Sequence, residues 1–356
     1  MVANLSLTQQ SRRRRHAGIA AAAVLSMTAV GAPGAGTASA APSATVVVDR
    51  YGFSTPVSAA VYRSVMFVAN RGNNSVTEVN ATTGAFVARV AGTRYRFSAP
   101  AAVITVGSVV FVANNTGNTV TEFAAGTRAL VRVIPGTSNR LSHPVAMAAV
   151  DGDLFVLNAA GSVAEFAVST GHFLGIATGS RYRFNHPRAI TIADNHVFVT
   201  NTGSNSVTEL SATTRAVIGW LAGSRYGFNH PTGITAHNNA VWVANQSGGS
   251  VTELSAVTGA VIRVVKSEYL PNPGPITYGD GYIFTASPPG SSPMVTQIIA
   301  STRAVTWMMC NTNGPYNFAN PQAVVVAGTR VWAVNAGGNS LTLMNATTGA
   351  LIRTVT

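Results

Sequence analysis

Three histidines occupy the same local position in the chain and could together ligate a metal ion. His143, His186 and His230 each stand directly before a proline, at intervals of 43 and 44 residues. Imidazole is a preferred ligand of zinc, and a zinc ion with an open coordination position supports hydrolysis and elimination. Before four further prolines the equivalent residues differ: Thr55, Ala99, Asn272 and Asn320. Two interpretations stay open, a shared metal site and a turn position that tolerates polar residues.

Arginines and tyrosines are interleaved a few residues before several of these prolines. The cations are Arg94, Arg96, Arg140, Arg181, Arg183 and Arg225, and the rings among them are Tyr95, Tyr182 and Tyr226. A planar guanidinium binds phosphate or carboxylate through two donors, and an aromatic ring offers a stacking surface. This set predicts a basic face for an anionic polymer, with teichoic acid, acidic glycan, phospholipid headgroups and nucleic acid as candidates.

The prolines mark a repeat that runs through most of the chain. They are Pro56, Pro100, Pro144, Pro187, Pro231, Pro273 and Pro321, spaced by 42 to 48 residues. A polar residue stands fourteen positions after each of them: Asn70, Asn114, Asn158, Asn201, Asn245, Ser287 and Asn335. Seven copies therefore keep one register.

Each copy contains four short apolar segments separated by turn residues. In the fourth copy these segments are 189–192, 196–200, 206–210 and 216–221, with ADN, NTGSN and SATTR between them. Four strands in a repeat of about 40–45 residues are typical of β-propeller blades. Stacking blades in a ring covers both faces of each one. The sequence predicts an all-β, seven-bladed β-propeller over residues 41–356, with four antiparallel strands per blade.

Two of the repeated words, VFVTNTGSNSVTEL (197–210) and VWVANQSGGSVTEL (241–254), resemble the YVTN-type repeats of exported bacterial β-propellers, to which NHL-type propellers are similar. The resemblance extends over residues 51–356. It implies the fold but no single activity, because this architecture hosts lyases, surface proteins and binding modules. Propeller lyases that inactivate streptogramins use a central Glu-x-His pair. No glutamate in this chain is followed two residues later by histidine, so that chemistry does not carry over.

In such propellers the connectors between blades share one face with the loops between second and third strands. The third strands carry Glu78, Glu122, Glu165, Glu209 and Glu253, and four connectors carry Arg50, Arg94, Arg181 and Arg225 at one equivalent position. Because a semi-buried glutamate needs a partner, we expect ion pairs between these two sets. Arg96, Arg140 and Arg183 are then the better candidates for contact with a ligand. We expect the tyrosines mainly to pack the connectors against the next blade.

Residues 1–40 have the pattern of a cleaved export signal. Arg12–Arg15 precede an alanine-rich apolar stretch, and small residues precede Ala41. The single cysteine, Cys310, excludes a disulfide within the chain, and the net charge of +12 makes the protein basic. We expect a location outside the cytoplasm, either secreted or in the cell envelope. Residues 45–49, TVVVD, either latch the ring by pairing with the last blade or are spare.

The sequence favours an exported, monomeric binding or scaffold module that needs no cofactor. Its expected partner is an anionic polymer or an envelope protein, contacted through the connectors. The alternative is a metal-dependent lyase or hydrolase with a divalent ion at His143, His186 and His230. A third hypothesis is a structural component of the envelope without a small ligand. The chain has no glycine-flanked nucleophile elbow, P-loop or Cys-x-x-Cys motif.

Overall fold

The computed structural model describes residues 50–136, 140–287, 293–311 and 315–356. Within these ranges the chain forms seven antiparallel sheets of four strands, each built from consecutive strands. The predicted all-β, seven-bladed propeller is therefore confirmed. The predicted export signal at 1–40 and the segment 45–49 lie outside the described residues. In the described ranges, no helix has the length and hydropathy needed to cross a membrane.

The strands, numbered β1 to β28, follow one another four to a blade. Blades 1 and 2 comprise β1–β4 (Pro56–Tyr62, Val65–Asn70, Ser75–Asn80, Phe86–Val90) and β5–β8 (Pro100–Val106, Val109–Asn114, Thr119–Ala124, Leu130–Ile134). Blades 3 and 4 comprise β9–β12 (Pro144–Val150, Asp153–Asn158, Ser162–Ala167, Phe173–Thr178) and β13–β16 (Pro187–Ala193, His196–Asn201, Ser206–Ser211, Val217–Leu221). Blades 5 to 7 comprise β17–β20 (Pro231–His237, Ala240–Asn245, Ser250–Ser255, Val261–Lys266), β21–β24 (Ile276–Gly279, Tyr282–Ser287, Met294–Ile299, Val305–Cys310) and β25–β28 (Pro321–Ala327, Arg330–Asn335, Ser340–Asn345, Leu351–Val355).

The hydrophobic core is divided into seven clusters, one at each boundary between neighbouring blades. Adjacent residues of a second strand face different clusters: in β2, Met66 packs in the cluster shared with blade 7 and Phe67 in that shared with blade 2. Because successive side chains of a strand point to opposite faces, both faces of a blade must be apolar. This requirement explains why the second strands are continuous apolar runs.

The ring closes by contact between two complete blades. Blade 7 supplies all four of its own strands, so β28 is its outer strand. Trp332 is fully buried in the cluster shared with blade 1, and its Nε1 donates a hydrogen bond of 2.8 Å to the carbonyl oxygen of Ala81. The backbone N–H of Thr55 donates to Oδ1 of Asn339 at 2.7 Å. Among the described residues, packing and hydrogen bonds close the ring without an exchanged strand.

The recurrent asparagine at the end of the second strand is buried and ties the connector to its blade. In blade 4, Asn201 Nδ2 donates to Thr208 Oγ1 at 2.9 Å, and Asn201 Oδ1 accepts from the backbone N–H of Asn185 at 3.2 Å. Thr208 Oγ1 in turn donates to the carbonyl oxygen of Tyr182 at 2.9 Å. We call this chain of bonds the Asn–Thr relay. The bond from threonine to connector recurs at Thr77, Thr121, Thr252, Thr296 and Thr342.

Blade 3 shows what happens when the threonine is missing. Ala164 occupies the position of the threonine, and Asn158 Nδ2 donates directly to the carbonyl oxygen of Arg140 at 3.3 Å. Blade 3 thus keeps a hydrogen bond to its connector, but at the carbonyl that corresponds to Arg183 and not to Tyr182. A buried carbonyl without a partner is costly, so bonds of this kind stabilise the connectors.

Replacing Thr208 with valine should destabilise the propeller. The substitution preserves shape but removes the acceptor of Asn201 and the donor to Tyr182, so two buried groups lose a partner. We expect the free energy of unfolding to fall by about 2–3 kcal/mol, measured by urea denaturation. Thr285 is the matched control, because its buried Oγ1 has no hydrogen-bond partner among the described residues. Thr285→Val should be neutral or stabilising, and equal losses in both variants would contradict a stabilising role of the relay.

Candidate functional site: the connector face

The connectors between blades and the turns between second and third strands lie on one face of the ring, as expected. In blade 4 the first residue of the inner strand, Pro187, is paired with the last residue of the second strand, Asn201. Across blades, the backbone N–H of Ala99 donates to Oδ1 of Asn74, in the second turn of blade 1, at 2.8 Å. We call this the connector face. The turns between first and second strands, and those between third and fourth strands, lie on the opposite face.

Three connectors contain a short 3₁₀ turn that fixes the position of an arginine or its glycine equivalent. The turns are Thr93–Tyr95, Ser180–Tyr182 and Ser224–Tyr226, each preceded by a glycine with φ between 99° and 112°. The residue that ends each turn is left-handed: Arg96 and Arg183 at φ 52°, and Gly227 at φ 62°. Arg140 has the same conformation at φ 54°.

The tyrosines of these turns are part of the core. Tyr95, Tyr182 and Tyr226 are 2–3% exposed, and each stacks on the phenylalanine two residues later with ring centroids 5.2–5.6 Å apart. The hydroxyl of Tyr95 also donates to the carbonyl oxygen of Arg128 at 2.7 Å. These rings wedge the connector against the outer part of the blade. Their burial leaves no accessible ring face for stacking with a ligand.

The expected ion pairs between the connector arginines and the third-strand glutamates are absent among the described residues, so that prediction was wrong. Arg94, Arg181 and Arg225 instead place their guanidinium carbons 4.7–4.8 Å from the ring centre of the adjacent tyrosine. Each also donates from Nη2 to that tyrosine's hydroxyl at 2.7–3.0 Å. Cation–π and hydrogen-bond contacts with the tyrosine thus replace the predicted carboxylate partner.

The third-strand glutamates pair with arginines of the next blade where such an arginine exists. Glu78, Glu165 and Glu253 are bonded to Arg128, Arg215 and Arg303, fifty residues further along the chain. The three arginines lie in the turn between third and fourth strands, at a left-handed position that alternates between glycine and arginine from blade 1 to blade 7. The seven residues are Gly84, Arg128, Gly171, Arg215, Gly259, Arg303 and Gly349, with φ of 62–74°.

Where the next blade has glycine at this position, the acid takes a partner within its own blade. Glu122 lies 3.4 Å from Arg132 Nε, and Glu209 Oε1 lies 2.7 Å from Nδ1 of His196. Glycine at position 171 leaves space for the side chain of Arg132, because a Cβ atom there would lie only 2.8 Å from Arg132 Cδ. Blades 6 and 7 have no acid here: Gln297 Nε2 donates to the carbonyl oxygen of Ala346 at 2.7 Å, and Leu343 is simply buried.

The three histidines do not form a metal site in the described part of the chain. His143, His186 and His230 are exposed and adopt left-handed conformations with φ of 49–55°, each in the tight turn before its blade's inner strand. The backbone N–H groups of His143 and His230 donate to Asn118 and Asn205 of the preceding blades. No group of three or more His, Cys, Asp or Glu side chains capable of holding a metal occurs among the described residues. The geometry fits the turn interpretation.

Positive charge dominates the connector face. Ten exposed cations belong to it: Arg50, Arg71, Arg94, Arg96, Arg140, Arg181, Arg183, Arg188, Arg225 and Lys266. Of the 11 acids in the chain, five are the buried glutamates and four are Asp151, Asp153, Asp194 and Asp280, which lie near the opposite face. Asp49 lies outside the described residues, so Glu268 is the one described acid of the connector face.

An axial channel with a volume of about 560 Å³ lies at the connector end of the inner strands. All seven blades line it, and its two charged lining residues are Arg71 and Arg188. Sequence reasoning missed both. A signal was present, because Arg71 directly follows Asn70 and Arg188 directly follows Pro187, the two landmarks of the repeat. Only the closed ring shows that these two positions converge on the axis.

Comparison with known proteins identifies the fold. No protein-family model and no curated protein matches the chain. Three similar solved structures are the computationally designed Ika8 protein, a catalytically inactive virginiamycin B lyase from Staphylococcus aureus with quinupristin, and Kuenenia stuttgartiensis hydrazine synthase. Their TM-scores are 0.64, 0.65 and 0.65, with 17%, 12% and 13% identity. The matches cover 86%, 81% and 83% of this chain, and 88%, 94% and 97% of theirs.

These identities are low, so the similarity extends to the fold alone. The class of protein is a seven-bladed β-propeller with a basic connector face.

Glu122→Gln should reduce the dependence of stability on pH. Burial raises the pKa of Glu122 from 4.5 to about 7, because the attraction of Arg132 offsets only part of the desolvation. The folded chain thus keeps a proton that the unfolded chain releases. The stabilisation that this proton gives is complete below pH 4.5 and is lost as pH rises through about 7.

Urea midpoints measured from pH 4.5 to 8 will test this. Wild type should lose stability across the range, and Glu122→Gln should lose less. Burial also raises the pKa values of Glu165 and Glu209, so the variant keeps a residual slope. The exposed acid of the connector face supplies the control, Glu268→Gln, which should follow wild type. If Glu122→Gln has the wild-type slope, Glu122 is not protonated in the fold.

Proposed function

We propose that this protein is an exported binding module of the YVTN propeller type and that its connector face holds an anionic polymer. The fold supports a binding or scaffold role, and the charge distribution supports an anionic partner. The proposed binding requires no cofactor, because arginine side chains supply the positive charge. A polymer fits better than a small ion because the cations are spread over successive connectors.

One observation carries the proposal: three consecutive connectors place arginine where other connectors place glycine or asparagine. Arg96, Arg140 and Arg183 have φ of 52–54°, at the position equivalent to Gly52, Gly227 and Asn317. The left-handed conformation costs a residue with a Cβ about 1–2 kcal/mol, and glycine avoids this cost. The guanidinium groups of Arg96 and Arg140 are exposed and make no hydrogen bond or ion pair with any described residue.

The contacts of the other arginines sharpen this choice. Arg94, Arg181 and Arg225 are held by their tyrosines, so a structural role accounts for them. Arg183 lies with its guanidinium carbon 4.3 Å from the ring centre of Trp220, an exposed residue of β16. An exposed arginine–tryptophan pair offers a ligand both charge and an apolar surface. Arg96, Arg140 and Arg183 therefore form the proposed contact line along blades 2 to 4.

The combined variant Arg96→Gly, Arg140→Gly and Arg183→Gly separates binding from stability. Because glycine occupies the same position elsewhere in the ring, the variant should be at least as stable as wild type. Its affinity for heparin and polyphosphate should fall at least about tenfold, since three charge-assisted contacts are lost. The slope of log affinity against log salt concentration should become shallower by about 2–3. Isothermal titration at several salt concentrations measures both quantities.

A second triple variant controls for net charge. Arg63→Gly, Arg263→Gln and Arg353→Gln remove three exposed positive charges away from the connector face, and Arg63 is also left-handed, at φ 55°. This control should bind within about twofold of wild type, because exposed charges beyond a Debye length are largely screened. Equal losses of affinity in the two triple variants would show that net charge, and not the connector face, determines binding of the polyanion. Wild-type protein that binds neither polyanion would refute the proposal.

A further inference from the structure

We propose that the axial channel is a separate binding site for a small amphiphilic anion, with its headgroup held by Arg71 and Arg188. The site goes beyond polymer binding at the rim and uses different residues. The ligand class is a molecule with one carboxylate or phosphate group and an apolar body.

The size and position of the channel favour a small molecule. Its volume of about 560 Å³ falls within the range of about 300–1,000 Å³ that is usual for ligand pockets. Residues from the inner strands of all seven blades form its wall. A polymer that lies across the face cannot follow a wall that closes around the axis, whereas a small molecule enters end-on.

The mouth of the channel is set up for an anion. Arg71 and Arg188 are exposed, and neither guanidinium has a hydrogen bond or ion pair with any described residue. No described residue that lines the channel is acidic. Cations at a concave mouth without acidic neighbours concentrate positive potential there. The planar guanidinium group matches a carboxylate or phosphate better than it matches a neutral hydroxyl.

The wall below the mouth suits an apolar body. Val57, Ala101, Ile104, Val145 and Ile276 line the channel and are partly exposed. The neutral polar residues of the wall include Ser58, Thr232 and Gln322. Charge at the entrance and apolar side chains along the wall together define an amphiphilic anion.

The experiment uses octyl phosphate and octanoate as probes. The controls are octanol, which has only the apolar chain, and inorganic phosphate, which has only the anionic group. Isothermal titration with the full-length protein should give saturable binding of octyl phosphate or octanoate at concentrations below those at which these probes form micelles. The two anionic probes show which headgroup the arginines select. Octanol lacks the charge and inorganic phosphate lacks the apolar body, so each should bind at least about tenfold more weakly than the better anionic probe.

Two kinds of variant test the two halves of the site. Arg71→Gln and Arg188→Gln should each weaken binding of the better probe about tenfold. Ala101→Phe should abolish binding by filling the channel, since Ala101 lines it and the equivalent positions hold larger residues, including Val57 and Arg188. Arg263→Gln is the control for charge, because Arg263 is exposed on outer strand β20.

Four results would overturn the inference. They are no saturable binding of either anionic probe, equal binding of octanol, unchanged affinity in both channel arginine variants, and wild-type affinity in a folded Ala101→Phe protein. If Ala101→Phe does not fold, the arginine variants decide alone. The triple glycine variant of Arg96, Arg140 and Arg183 should keep full affinity for the channel probe. Failure of rim binding and failure of channel binding are therefore distinguishable.

Discussion

Every blade of this propeller has two apolar faces, and both must be covered by other blades. The seven hydrophobic clusters at the seven blade boundaries are the result. An open row of blades would leave two faces exposed to water, and contact between blades 7 and 1 removes this cost. The side chains of the second strands are buried by this packing. Side chains that can contact a partner are therefore confined to the two faces of the ring, its outer edge and the axial channel.

The Asn–Thr relay fixes the backbone of the connectors on the packed blades and so defines the connector face. A connector has no sheet of its own, yet its backbone carbonyl is bonded to a buried threonine on the third strand in six blades. The stacked tyrosine and phenylalanine hold the same segment from the other side. With the backbone fixed in this way, left-handed residues such as Arg96 and Arg183 point their side chains away from the core. The basic face is thus supported by a largely neutral polar network.

The acids inside the ring have positively charged or polar partners, whereas most cations on the connector face have no acidic partner among the described residues. Three buried glutamates are bonded to an arginine of the next blade, and two lie beside an arginine or a histidine of their own blade. Burying an acid without such a partner is expensive. Alternation of glycine and arginine in the turn between third and fourth strands decides whether the partner comes from the next blade or the same one. Since nearly all the acids serve inside the ring or lie near the opposite face, the connector face is left almost purely cationic.

The sequence by itself determined the number of blades, the strands and the face that carries the connectors. A period of 42 to 48 residues with recurrent proline and asparagine indicates four strands per repeat. The positions of these strands can be predicted because strand length and turn chemistry are local properties. The observed strands of blade 4 begin and end within two residues of those expected. The packing role of Tyr95 also followed from its place beside a buried phenylalanine.

Only the tertiary structure decided which charges meet. Arg94 and Glu122 occur in the same copy of the repeat, yet Arg94 contacts its own neighbour Tyr95, and Glu122 lies beside Arg132. Glu78 of the first copy pairs with Arg128, fifty residues away. Co-occurrence in a repeat does not distinguish contacts within a blade from contacts across a boundary. The channel mouth is the same kind of case. Arg71 and Arg188 are 117 positions apart in the chain and share a channel because closure of the ring brings their blades around one axis.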